Sequence, residues 1–169
     1  MAIRVVFRDG DHVPAFPVEA GGQTLVMVPF AKDDVEDLHV VATACSLMVP
    51  GEDQVRELSL ELLIYDPATG GTYTYSLHEA LERLPADVWL PFCLATSFAV
   101  RKLLSLEKLE TFHIYTQAYR HDSQLAAMLS VVANTVQQEY KLLSVDEYLG
   151  SVLWIGTLKN EREASDDSP

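Results

Sequence analysis

The sequence predicts a single α+β domain, in which an antiparallel β-meander is followed by helix-strand-helix-strand, forming one mixed sheet packed with helices. Three observations indicate this class. The length of 169 residues is that of one domain. Residues 57–62 alternate between polar and apolar side chains, as in a half-buried strand, while apolar residues after position 123 recur with helical spacing. We place the domain at residues 1–158 and an acidic tail, expected to be disordered, at residues 159–169.

The first half of the chain reads as strands. Residues 3–7 and 24–28 are short β-prone segments, the second ended by Pro29, and residues 12–22 between them hold Pro and Gly and are predicted as a loop. Residues 39–49 suit either a strand or a buried helix, and we favour a strand because a turn at 50–53 leads directly into the alternating segment. A second turn at 66–71 and a strand at 72–75 complete the predicted meander.

The second half begins with Ser76 and Glu79, which form the pattern of a capping box, so a short helix is predicted up to Pro85. Pro91 suits the first turn of a second helix that runs to about residue 104, and residues 112–118 are predicted as a strand.

A long third helix, capped by Asp122 or Ser123, is predicted from a stripe of apolar side chains. A further capping box at residues 144–147 predicts a short helix closed by Gly150, and residues 152–158 are predicted as the last strand. The residues of the stripe are Leu125, Met128, Leu129, Val132, Val136 and Tyr140.

The predicted order of elements from residue 39 onward is similar to a ribonuclease-H-like sheet. Residues 40–70, VVATACSLMVPGEDQVRELSLELLIYDPATG, resemble the opening hairpin of proofreading-type 3′–5′ exonucleases. That family carries an Asp-x-Glu on its first strand to hold two metal ions. The corresponding positions here are Ala42 and Ala44, whose methyl groups cannot bind magnesium. The resemblance therefore implies a fold without the nuclease chemistry.

The charge of the chain limits its partners. Twenty-five Asp and Glu face twelve Lys and Arg, for a formal net charge of −13. Such a surface repels phosphate backbones and anionic lipid heads, so we expect no direct nucleic-acid binding and no membrane binding. No stretch approaches the roughly 20 apolar residues of a membrane span, so none is predicted. With only Cys45 and Cys93 and no secretory signal at the N-terminus, we expect a cytoplasmic protein.

Motifs that carry chemistry were not found in the sequence. The five histidines form no HExxH pattern, and the chain has no zinc-finger cysteine spacing, no GxSxG elbow and no phosphate-binding glycine loop. We therefore predict no metal ion and no cofactor. If the protein is an enzyme, its site must assemble from distant residues, and His113, His121 and Asp122 are the best centre available.

The acidic cluster of Asp33, Asp34, Glu36 and Asp37 is the densest charge feature and is our predicted binding site. It suits either a solvated turn or a docking patch for a basic protein partner. The leading hypothesis is a non-enzymatic acidic protein-binding module, such as an inhibitor or immunity protein, an adaptor, or an accessory factor of a mobile element. One alternative is a homo-oligomeric structural subunit, associating through an open sheet edge or the apolar stretch around Trp89 and Phe92.

Overall fold

In a computed structural model of the chain, the structure describes residues 3–6, 16–20, 23–49, 52–116, 123–146 and 152–159. These residues form one mixed sheet of nine strands, packed with helices, which confirms the α+β class. The strands are β1 (Ile3–Val5), β2 (Phe16–Ala20), β3 (Gln23–Asp33), β4 (Leu38–Val49), β5 (Glu52–Tyr65), β6 (Thr72–Ser76), β7 (Thr111–Thr116), β8 (Tyr140–Asp146) and β9 (Val152–Leu158). The helices are α1 (Leu77–Arg83), α2 (Trp89–Glu107) and α3 (Ser123–Val136), with a 3₁₀ turn at Ala86–Val88.

The order of the strands is β1-β3-β4-β5-β7-β9-β8, with β2 also beside β3 and β6 also beside β5. The three long strands β3, β4 and β5 form the predicted antiparallel meander. Strands β5 and β7 are parallel, and β9 is antiparallel to both of its neighbours, β7 and β8. A ribonuclease-H-like order is not confirmed by this arrangement.

The hydrophobic core lies between one face of the sheet and the helices. The alternation of side chains along each strand places the apolar residues of β3, β4 and β5 on this face, and α2 packs across β3 and β4. Phe92 of α2 is fully buried, with its ring centroid 5.4 Å from that of Phe30 and 5.6 Å from that of Trp89. Burial of one such large side chain contributes about 1.5–3 kcal/mol. Core residues of the strands include Val26, Val28, Val40, Ala42, Ala44, Leu58, Leu60 and Leu62.

Helix α2 corrects the expectation that no stretch of the sequence is long and apolar enough for a membrane span. The segment Ala86–Glu107 is long and apolar enough to cross a membrane when length and composition alone are considered. A core helix passes the same test, and 56% of its most apolar window is buried inside the protein. Contacts with β3, β4 and α3 account for the apolar composition of α2.

Two turn features predicted from the sequence are confirmed. Asp66 begins the tight turn between β5 and β6: its carboxylate accepts hydrogen bonds from the Ala68 amide at 2.8 Å and the Thr69 hydroxyl at 2.7 Å, and Gly70 has a φ of 70°. Ser76 and Glu79 form the capping box of α1, with both reciprocal hydrogen bonds present.

The loop predicted at residues 12–22 is partly wrong, because Phe16–Ala20 forms β2. Strand β2 pairs with β3 in antiparallel register, with Pro17 opposite Val26. Proline has no backbone N–H to donate, and an edge strand tolerates it because its outer side needs no donor for a second strand. Strand β3 also continues past Pro29 to Asp33, through an irregularity between Pro29 and Ala31.

The end of the long helix was also predicted wrongly. Helix α3 ends at Val136, and Tyr140, four residues later, is the first residue of β8. The apolar stripe appeared to continue because Tyr140 is buried as well, with its hydroxyl donating to the Leu109 carbonyl at 2.8 Å. The predicted capping box at 144–147 falls partly on β8, which pairs with β9 over its whole length, and residues 147–150 lie outside the described residues.

Candidate functional site

The predicted binding acids lie at the turn between β3 and β4, where only part of their charge is available to a partner. Asp33 is buried, and its Oδ1 accepts a hydrogen bond from the Val35 amide at 3.0 Å. Asp34 is exposed and forms a bidentate ion pair with Arg4, at 2.8 and 3.0 Å. Asp37, with a φ of 57°, pairs with Lys32.

The ion pair with Arg4 holds the pKa of the Asp34 carboxyl below its usual value, through the hydrogen bonds and the positive charge of the guanidinium. A basic partner would have to compete with Arg4 and Lys32 for Asp34 and Asp37. Glu36 is exposed, and no ion pair among the described residues involves it. The role of this turn in binding stays a prediction.

A cavity of about 570 Å³ opens where β5 changes its neighbour. Along one edge of β5, residues 61–65 pair with β6 and residues 55–57 pair with β7. Within the described part of the chain, no strand pairs with residues 58–60 on this edge, so a three-residue stretch of strand faces the cavity. We call this cavity the slot. Its described lining residues are Glu57, Leu58, Ser59, Leu60, Glu61, Thr74, Ser76, Leu77, His78, Ile114, Tyr115 and Leu125.

The slot has two chemically different walls, because successive side chains of β5 point to opposite faces of the sheet. Leu58 and Leu60 point toward the helices, where Leu77, Ile114 and Leu125 complete an apolar wall. Glu57, Ser59 and Glu61 point to the other face and form an acidic wall. No lysine or arginine is among its described lining residues, so the slot favours a ligand with a cationic part at the acidic wall and an apolar part at the other wall.

The two glutamates of the slot, Glu57 and Glu61, are half-buried. Glu61 accepts a hydrogen bond from the Ser59 hydroxyl at 3.2 Å. None of the ion pairs among the described residues involves Glu57 or Glu61. Their carboxylates are therefore more available to a cationic partner than those of Asp34 and Asp37, which already form ion pairs with Arg4 and Lys32.

A second cavity, of about 610 Å³, has the opposite charge. It lies between the C-terminal part of α2 and the start of β8, and three cations line it. We call it the basic cavity. Its described lining residues are Phe98, Arg101, Lys102, Leu104, Ser105, Lys108, Glu139, Tyr140 and Leu158.

The remaining candidates for chemistry are separate from both cavities. Burial raises the pKa of the Cys93 thiol to about 11, which disfavours the thiolate, and burial together with the charges of Glu61 and Glu107 raises that of Cys45. Among the described residues, no group of three or more His, Cys, Asp and Glu side chains is arranged to hold a metal ion. His113 lies on β7 opposite Glu57, but His121 and Asp122 lie outside the described residues, so the enzymatic centre stays a prediction.

The apolar stretch proposed for self-association is largely part of the core. Phe92 is fully buried and Trp89 is half-buried against it, so neither is an open contact surface. Leu90 between them is 61% exposed. Strand β8 lies at one end of the strand order, and no strand among the described residues pairs with its outer edge, which the alternative of an open sheet edge would use.

The slot was not recognised from the sequence. The alternation of Glu57, Ser59 and Glu61 was correctly interpreted as the wet face of a strand, but the gap beside it depends on how β6 and β7 divide one edge of β5. The chain matches no protein-family model, no curated protein and no solved structure.

Proposed function

We propose that this protein is a non-enzymatic, acidic protein-binding module whose slot receives a basic, extended segment of a protein partner. The observation that supports this proposal is the position of Glu57 and Glu61 beside a stretch of β5 edge that has no pairing strand within the described part of the chain, where neither glutamate forms an ion pair.

The slot suits an extended peptide because an unpaired strand edge presents backbone donors and acceptors to one. Three residues of β5 separate its β6-paired and β7-paired parts, which corresponds to about 10 Å at 3.3 Å per residue. A short segment can add its backbone there without displacing either neighbour. This mode of binding uses main-chain hydrogen bonds for affinity and side-chain pockets for specificity.

The walls of the slot favour lysine or arginine in that segment. A basic residue of an added strand that points to the acidic wall can reach Glu57 or Glu61, while the apolar residues that alternate with it point toward Leu58 and Leu60. Hydrogen bonds between a cation and a carboxylate are stronger than those between neutral groups. A segment in which basic and apolar residues alternate thus suits both walls, whereas an acidic residue would be repelled by the acidic wall.

The net charge of −13 would assist the same partner before contact. A surface of one sign raises the rate at which an oppositely charged protein associates, and this effect weakens with salt. The turn acids Asp34, Glu36 and Asp37 would contribute to this long-range attraction even while Arg4 and Lys32 hold two of them. An inhibitor, an immunity protein, an adaptor and an accessory factor of a mobile element would all use such a mechanism.

The test is the binding of a fluorescent nine-residue peptide in which lysine alternates with valine, measured by anisotropy against the same peptide with glutamate in place of lysine. We expect only the lysine peptide to bind, and the double variant Glu57→Gln/Glu61→Gln to weaken its binding about tenfold or more, since one charge-assisted hydrogen bond contributes about 1.5 kcal/mol.

The matched control is Glu36→Gln/Asp87→Asn, which removes the same charge from two exposed residues outside the slot. It should weaken binding far less than the slot variant. If the two variants lost the same amount of affinity, net charge and not the slot would explain the binding, which would contradict the proposal. Binding of the lysine and glutamate peptides with similar affinity would also contradict it.

A further inference from the structure

The basic cavity concentrates positive charge in a strongly acidic protein. Arg101, Lys102 and Lys108 line it, out of twelve lysines and arginines in the whole chain. All three are exposed, and none of the ion pairs among the described residues involves them. Glu139 is the acid among the described lining residues. The cavity thus keeps an excess of positive charge that no described acid of the fold neutralises by direct pairing.

Part of the lining of this cavity is apolar, and its tyrosine is fixed by a hydrogen bond. Phe98 and Leu104 come from α2, and Leu158 comes from the end of β9. Tyr140 is held by the hydrogen bond from its hydroxyl to the Leu109 carbonyl. A ligand that suits the cavity therefore carries several negative charges along a chain that can also cover apolar surface, as an acidic peptide does.

The last described residues of the chain lie at the rim of the basic cavity. Leu158, which lines the cavity, donates its amide hydrogen bond to the Glu110 carbonyl at 2.8 Å. Lys159 follows, and its amide donates to the carbonyl of Glu139, another lining residue, at 2.9 Å. Residues 160–169 are therefore tethered within two residues of the cavity lining.

The sequence of residues 160–169, NEREASDDSP, is acidic. Glu161, Glu163, Asp166 and Asp167 face one cation, Arg162. Its charge is opposite to that of the cavity beside which it starts. We propose that the basic cavity is a binding site for an acidic peptide segment, and that residues 160–169 of the same chain are its occupant.

The short connection makes this pairing favourable although each ion pair at an exposed site is weak. Glu161 lies two residues after Lys159 and Asp167 eight residues after it, so an extended chain reaches about 7 to 26 Å at 3.3 Å per residue. A segment tethered this closely has an effective concentration of the order of millimolar at its site. A free acidic peptide must exceed that concentration to replace it.

The experiment compares amide NMR spectra of two full-length proteins, the natural sequence and a tail variant carrying Glu161→Gln, Glu163→Gln, Asp166→Asn and Asp167→Asn. We expect the signals of residues 98–108 and of Glu139 and Tyr140 to differ between the two proteins in low salt. The difference should disappear in 1 M NaCl, where the screening length is about 3 Å.

A charge control tests the cavity itself. Lys102→Gln removes an exposed lysine of the cavity and Lys141→Gln removes an exposed lysine outside its lining. In the Lys102→Gln background the difference between natural and neutralised tails should shrink at least twofold, whereas Lys141→Gln should leave it unchanged. Identical spectra of residues 98–108 with the natural and the neutralised tail would overturn the proposal, and so would equal effects of the two lysine variants.

Discussion

The ring of Phe112 occupies the space that a side chain at Gly156, its cross-strand partner on β9, would need. A β-carbon built on Gly156 would overlap three atoms of that ring, all within 2.8 Å. The same ring also meets Tyr140, with centroids 5.1 Å apart in an edge-on arrangement. The glycine therefore allows the fully buried Phe112 to lie close to the backbone of β9.

This contact predicts that Gly156→Ala destabilises the protein by about 1–3 kcal/mol, the usual effect of forcing an extra carbon into a packed core. Urea unfolding followed by circular dichroism measures the change. Phe112→Leu removes the far part of the ring, so the double variant should lose less than the sum of the two single variants. Strict additivity of the two losses would show that the methyl group and the ring do not collide.

The sequence predicted those parts of the fold that local pattern determines. The alternation at 57–62, the turn beginning at Asp66 and the capping box at Ser76 are each specified by residues close together in the chain, and each is present. The position of Tyr140 on a strand and not on the helix could not be predicted in this way. A buried strand residue four positions after the helix gives the same apolar pattern as one more helical turn.

The candidate sites depend on relations that single-sequence patterns do not contain. The slot exists because β6 and β7, which are separated by α1 and α2, divide one edge of β5. The basic cavity joins Arg101 of α2, and Lys108 immediately after that helix, to Leu158 at the end of β9. By contrast, the acidic turn was visible in the sequence, while its pairing of Asp34 with Arg4, thirty positions earlier, was not.

The two thiols should differ in reactivity. Burial raises the pKa of Cys93 to about 11 from an ordinary value of 9.0, so its thiolate fraction near pH 8 falls about a hundredfold. Cys45 is half-exposed. We expect Ellman's reagent to modify one thiol of the native protein well before the other, and Cys45→Ser to abolish the faster phase. Loss of that phase in Cys93→Ser instead would contradict the assignment, and urea should make both thiols react equally.

Trp154 should tolerate replacement by phenylalanine unusually well. Its indole Nε1 is buried and has no hydrogen-bond partner within the described part of the chain, while its side chain lines a small apolar cavity with Leu129, Val132 and Val136 of α3. Removing an unsatisfied donor recovers part of its desolvation cost, about 1–3 kcal/mol, and this offsets the loss of contact area. Trp154→Phe should therefore change the free energy of unfolding by less than about 1 kcal/mol.

The control for this prediction is Trp154→Ala, which removes the ring as well as the donor. It should cost about 3–5 kcal/mol, as is usual when a large core side chain is truncated to alanine. If the phenylalanine variant were as unstable as the alanine variant, the indole nitrogen would have to contribute a stabilising hydrogen bond.

Tyr140 should make stability depend on pH in the alkaline range. Burial, and to a smaller extent the charge of Glu139, raises the pKa of its hydroxyl above the ordinary value of 10.0. The native protein then holds this proton at a pH at which the unfolded chain releases it. The stabilisation by Tyr140 is therefore complete below about pH 10 and is lost as the pH rises through the raised native pKa.

Tyr140→Phe isolates that contribution. Near pH 8 the variant should be less stable by about 1 kcal/mol, because the carbonyl of Leu109 loses its donor at 2.8 Å. Above pH 10 the wild-type protein loses stability at this residue and the variant does not, so the difference between them should shrink toward zero. Urea unfolding of both proteins from pH 8 to 11 measures it, and subtraction removes the titration of the cysteines and other tyrosines that both proteins share. A difference that stays constant across this range would mean that the Tyr140 hydroxyl titrates alike in the folded and unfolded chains.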